Sequence, residues 1–111
     1  MPPPPALLVR WVIESMDMWS ADDINLVEEG HVTFTKSGGE MAFICVSLWL
    51  DCNAKGDSGS AVEFTFEGSD EGDEVSGRGH ARISGKDRIK GSIRFHMGDE
   101  SGFVARRASG R

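Results

Sequence analysis

From Val62 to Ala105 apolar and polar residues alternate almost without a break. In AVEFTFE, Val62, Phe64 and Phe66 share one side, and Glu63, Thr65 and Glu67 the other. GRGHARIS sets Gly79, Ala81 and Ile83 against Arg78, His80 and Arg82. RIKGSIRFH sets Ile89, Ile93 and Phe95 against Arg88, Lys90, Arg94 and His96, and FVARR adds Phe103 and Ala105. Period two with one apolar side marks a strand whose inner face enters a core. Leu7, Val9, Trp11 and Ile13 alternate in the same way, and HVTFTK puts Val32 and Phe34 on a common face. EMAFICVSLWL is apolar at nearly every position, the pattern of one strand buried on both sides. SGG at 37–39, GKD and GDESG read as turns between these runs, as does the polar stretch DCNAKGDSGS. DMWSADDINLVEEG has no such period. Ser20 or Asp22 there can cap a single helical turn, or the segment can be a wide loop.

These runs predict an all-β fold of about seven strands, either a small antiparallel up-and-down barrel or a strongly curved meander. Glycines at 77, 79, 85 and 91 suit points where a sheet bends sharply or closes. One hairpin register pairs Glu67 with Arg78, Thr65 with His80 and Glu63 with Arg82, so that opposite charges face each other. The next hairpins pair Ile83 with Ile89 and Phe95 with Phe103. Phe64, Ile83, Ile93 and Phe103 then share one dry interior, and Trp11 and Trp49 read as core. Residues 1–6 form a proline-rich arm, 7–106 a single β domain and 107–111 a disordered tail.

Composition narrows the function classes. A chain of 111 residues with a net charge of −6 lacks the cationic surplus that affinity for phosphate backbones requires, so no nucleic-acid partner is expected. The charge is uneven. Residues 1–77 hold 3 basic and 15 acidic side chains, and residues 78–111 hold 9 and 3. The two parts attract, which favours their strands lying side by side. Two cysteines, Cys45 and Cys52, with no leader or apolar span read as a reduced, cytoplasmic chain away from membranes.

The chemistry-bearing residues fall into three groups. The acidic stretch 68–77 holds Asp70, Gly72, Asp73 and Glu74 at spacings that miss those of an EF-hand loop, and it reads as a solvated connection of ten residues. A looser cation site on Asp70 and Asp73 remains open. His80 and His96 lie on the polar side of adjacent strands among Arg78, Arg82 and Arg94. A metal site needs three converging ligands, and those arginines repel a cation, so no metal and no cofactor are expected. Met18 and Trp19 follow the first strand and could lid a barrel mouth.

The binding site expected from these groups is a pocket at that mouth. Met18, Trp19 and Trp49 wall it, with polar help from His80, Arg94 and His96. The function expected is non-catalytic binding of a small ligand, or an interaction domain. The alternatives are a structural or assembly protein, compatible with a homodimer, and a small hydrolase in which Asp99 orients His96. No P-loop, Rossmann fingerprint or Cys-x-x-Cys occurs, and GDSGS lacks the strand-to-helix elbow of a nucleophilic serine.

RWVIESMDMW, SGGEMAFICVSLWLDC, EGSDEGDEVSGRGHARI and GSIRFHMGDESGF together resemble a small family of uncharacterised bacterial proteins. Such chains are similar to those captured as lone open reading frames on mobile gene cassettes. The resemblance spans most of residues 10–106. It implies a bacterial, single-domain, soluble protein and assigns no activity to any residue.

Overall fold

A computed structural model describes residues 7–36, 38–54 and 61–108. The proline arm and the last three residues lie outside the described set. Eight antiparallel strands follow one another around a closed barrel: β1 (Arg10–Met16), β2 (His31–Phe34), β3 (Gly38–Phe43), β4 (Val46–Ala54), β5 (Ala61–Asp70), β6 (Asp73–Ile83), β7 (Arg88–Phe95) and β8 (Glu100–Arg107). A four-residue helix, α1 (Ala21–Ile24), lies between β1 and β2. Ser20 caps it by accepting a hydrogen bond from the Asp23 amide. β8 pairs with β1 to close the ring.

The difference between seven strands and eight comes from EMAFICVSLWL. This run forms two strands, β3 and β4, joined at Ile44–Cys45. Ile44 takes φ +55°, which is costly for a β-branched residue. Its amide donates to the Ile24 carbonyl at 2.8 Å, so contacts with α1 hold the turn. No Gly, Pro or Asn marks the site, and both strands are apolar because both line the same interior.

The acidic stretch also differs from the expected long connection. β5 and β6 stay paired as far as Asp70 and Asp73, and only Glu71 and Gly72 turn the chain. Both have positive φ, +53° and +92°, the signature of a two-residue type I′ hairpin. That turn sets the register two residues away from the opposite-charge pairing. Thr65 faces Arg78, Glu63 faces His80 and Glu67 faces Ser76. Because the slip is even, every side chain keeps its face. Ile83 pairs with Ile89 as expected, whereas Phe103 pairs with Gly91 instead of Phe95.

Inward residues fill the barrel. Phe34, Met41, Leu48, Phe64, Ile93 and Phe103 are all essentially buried. On β6 the inner positions are small, Gly77, Gly79 and Ala81. Phe66 and Phe64 on β5 face Gly77 and Gly79 across the ladder, and Phe103 faces Gly91. Alternating large and small inner residues lets rings lie across the neighbouring backbone and fills a small barrel. At one end of the barrel Trp19 packs on Phe43, with centroids 5.4 Å apart, and Ile24 is fully buried. The Ser101 hydroxyl, itself buried, accepts from the Asp17 and Met18 amides at 3.1 and 3.3 Å and pins the segment that closes this end.

Charge attraction between the two parts of the chain acts at the seam. A register shift in β1 turns Glu14 outward, where it meets Arg88 at 2.8 Å and Arg106 at 3.8 Å. Exposed pairs of this kind are worth at most about 1 kcal/mol each, so they tune the closure and do not drive it. β8 continues through Arg107, and the Ala108 amide donates to the Arg10 carbonyl, so the ordered strand runs past residue 106.

Candidate functional site

The alternation that fills the interior also fixes what the wall presents outside. Charged residues face outward and apolar residues inward, the inverse of a barrel that crosses a bilayer with its strands. Among the described residues no helix is long and apolar enough to cross a membrane.

The six residues expected at a barrel mouth fall in two places. Met18 and Trp19 lie at the end closed by α1. Met18 is exposed, and Trp19 is half-buried against Phe43. Trp49, His80, Arg94 and His96 lie on the outer wall. Trp49 is therefore not core. It is 62% exposed, because β4 is a strand of one inner face and Leu48 and Leu50 take the inward positions on either side of it. His96 and Asp99 are both exposed in the β7–β8 turn, and no hydrogen bond joins their side chains. Backbone hydrogen bonds hold this turn, from the Phe95 amide to the Asp99 carbonyl at 2.9 Å and from the Gly98 amide to the Phe95 carbonyl at 3.0 Å.

Two shallow grooves run side by side on this wall. The first, of about 920 Å³, lies over β4, β5 and β6, with Trp49 in its floor and Asp51, Glu67 and Glu74 around it. The second, of about 720 Å³, lies over β5, β6 and β7 and is lined by Arg78, Arg94, His96 and Met97. A smaller hollow of about 270 Å³ continues it past His80, with Glu63 and Glu100 on its rim. The charged lining of the first groove is wholly acidic, while the second groove and the hollow hold Arg78 and Arg94 together with Glu67, Glu63 and Glu100.

The cationic side chains of this wall have an arrangement that folding alone does not favour. Arg78 sits directly opposite Arg94, and Arg82 directly opposite Lys90. Like charges in facing positions of a ladder are destabilising. None of these four side chains forms an ion pair among the described residues, although Arg94 also faces Glu100 on the other side. Nor, among those residues, do Asp51, Glu67 or Glu74 pair with a cation. The like-charge contacts follow from the β6–β7 register fixed by Ile83 with Ile89, while the even slip between β5 and β6 moves Arg78 away from Glu67.

No known family, curated protein or solved structure gives a significant match to the chain. The wall itself is thus the ground for a functional reading.

Among the described residues no three His, Cys, Asp or Glu side chains converge as a metal site would require. His31 is buried, with ring contacts to the Glu29 carbonyl at 3.0 Å and a Glu40 carboxylate oxygen at 3.3 Å, so it ties β2 to β3 under the 26–30 loop. Both cysteines are free thiols. Burial, with the Asp51 charge as a second cause, pushes the Cys52 thiol up to about 11. A protonated, buried thiol is a poor nucleophile. Cys52 should therefore resist alkylation in the native protein and react at once on unfolding, which mass spectrometry of iodoacetamide-treated samples checks. The raised value also has a stability consequence. The folded state holds this proton more tightly than the unfolded chain. The stabilisation is thus complete below the ordinary thiol range near 9 and is lost as pH rises to about 11. It is worth at most about 2–3 kcal/mol. Urea midpoints should fall across that window in wild type and stay flatter in Cys52→Ala.

Proposed function

We propose that the protein is a non-catalytic recognition module that binds with the outside of its barrel wall. The observation that carries this reading is the pair of like-charge ladder contacts, Arg78 with Arg94 and Arg82 with Lys90. Both are left without ion-pair partners among the described residues, and the groove over Arg78 and Arg94 adjoins the one that holds the exposed Trp49. An arrangement that lowers stability in the isolated chain is repaid when an anionic group sits between the guanidinium groups, where charge-assisted hydrogen bonds are strong. The buried aromatic and aliphatic side chains that occupy the interior support the same reading, since the grooves lie on the outside of the wall. Their openness suits an extended acidic segment better than a small molecule, which normally needs most of its surface enclosed.

An oligoglutamate peptide carrying a fluorophore tests this by anisotropy. The expected result is saturable binding at low ionic strength that weakens steeply with added salt. Arg78→Glu combined with Arg94→Glu should weaken it at least about tenfold. Equal binding by wild type and by that variant would defeat the reading.

A further inference from the structure

The closed ring restricts how this chain can meet a partner. Every described strand has a neighbour on both sides, so no edge is left for adding a strand. A partner must dock on a face. The grooved face is self-complementary. The acidic patch, Asp51, Glu67 and Glu74 around Trp49, adjoins the basic patch of Arg78 and Arg94 on the same curved surface. A twofold axis between two such patches brings each onto its opposite in the other copy, which is the condition for an isologous interface.

We infer that the occupant of this wall is a second copy of the chain, docked so that Arg78 and Arg94 of each protomer meet Trp49 and its acidic surround on the other. The inference rests on the proposed recognition role of the wall and names its partner. The apolar anchors are in place. Trp49 is 62% exposed and Met97 is 91% exposed, on opposite flanks of the patch pair. Tryptophan and arginine are the residue types that dominate interface energetics, and a guanidinium stacks well on an indole face. Docking also gives carboxylate partners to the arginines that oppose each other within one chain. A closed dimer leaves no unsatisfied copy of either patch, so association stops at two.

Sedimentation velocity on the full chain tests this with paired charge reversals. One variant carries Arg78→Glu and Arg94→Glu, the other Glu67→Lys and Glu74→Lys. All four positions are exposed, and far-UV circular dichroism checks that both variants fold. Wild type should sediment as a dimer at low ionic strength and as a monomer at high salt. Each variant alone should be monomeric, and an equimolar mixture should regain the dimer, because in the mixed pair positions 78 and 94 meet positions 67 and 74 with opposite charge on both sides of the twofold axis. A wild-type monomer at all salt concentrations, a variant that still dimerises, a mixture that stays monomeric, or a species larger than two would each overturn the inference. If wild type is monomeric yet still binds oligoglutamate, self-docking falls and the recognition role stands. If it binds neither, both fall.

Discussion

Adding one methyl group at Gly79 should cost about 3 kcal/mol or more, near the upper end for overpacking. A Cβ there would lie 2.6 Å from the Ser92 carbonyl oxygen and 2.7 Å from Cζ of Phe64. The first neighbour is backbone of β7, in the ladder where Gly79 faces Ile93. The second is a buried ring held in turn by Phe34, with centroids 5.9 Å apart. Neither can yield without parting a strand pair or expelling a ring from the core. Urea unfolding of Gly79→Ala measures the loss. In a Phe64→Leu background the added loss should shrink by about 1 kcal/mol, because the ring is gone while the carbonyl remains. Gly72→Ala is the informative contrast. Gly72 has φ +92°, and a methyl group added there would meet nothing within 4 Å, so its cost is backbone strain alone, about 1–2 kcal/mol. Equal losses at 72 and 79 would show that the aromatic-on-glycine packing does not hold the wall together.

Trp11→Ala should cost about 3–5 kcal/mol. Trp11 is 1% exposed and sits near the end of the barrel opposite α1, where β1 meets β8. Its indole N–H donates to the Leu7 carbonyl at 3.2 Å, and the Arg107 guanidinium lies 5.3 Å from the ring centroid. The side chain therefore plugs this end and ties the segment before β1 to the seam. Trp11→Phe keeps most of the volume and loses the donor, so about 1–2 kcal/mol is expected. Trp49→Ala should leave the melting temperature almost unchanged, since an exposed side chain away from the core contributes within about 0.5 kcal/mol. It should instead abolish the dimer in sedimentation. The opposite ranking of the two tryptophans, stability for one and association for the other, separates core from binding wall in a single pair of variants.

That ranking is also where reading the chain as a linear pattern reached its limit. Alternation places Trp49 on a face only once the direction of that face is known. The run EMAFICVSLWL hid the direction, because apolar residues occupy nearly all its positions. The turn at Ile44 carries none of the residues that mark turns, and contacts from α1 hold its positive φ. One strand was therefore expected where two exist. In the acidic stretch the opposite happened. Asp, Glu and Gly marked a turn correctly, but their abundance suggested a long connection. The hairpin is tight because Glu71 and Gly72 both adopt positive φ while the acids around them remain in strands.

By itself the sequence determined the fold class and which side of each later strand faces the core, because side-chain parity is local and survives any even slip in register. It also determined the set of cationic residues on the polar side of β6 and β7, while for the helical turn it left Ser20, Asp22 and a wide loop open, and the structure chose Ser20. Only the tertiary structure decided which β5 residues lie opposite those of β6. The two-residue β5–β6 hairpin took Arg78 away from Glu67, and the division of one apolar run into β3 and β4 set Trp49 on the wall outside. Cross-strand neighbours are chosen by turn geometry and ring closure, which are properties of the whole barrel and not of any one strand.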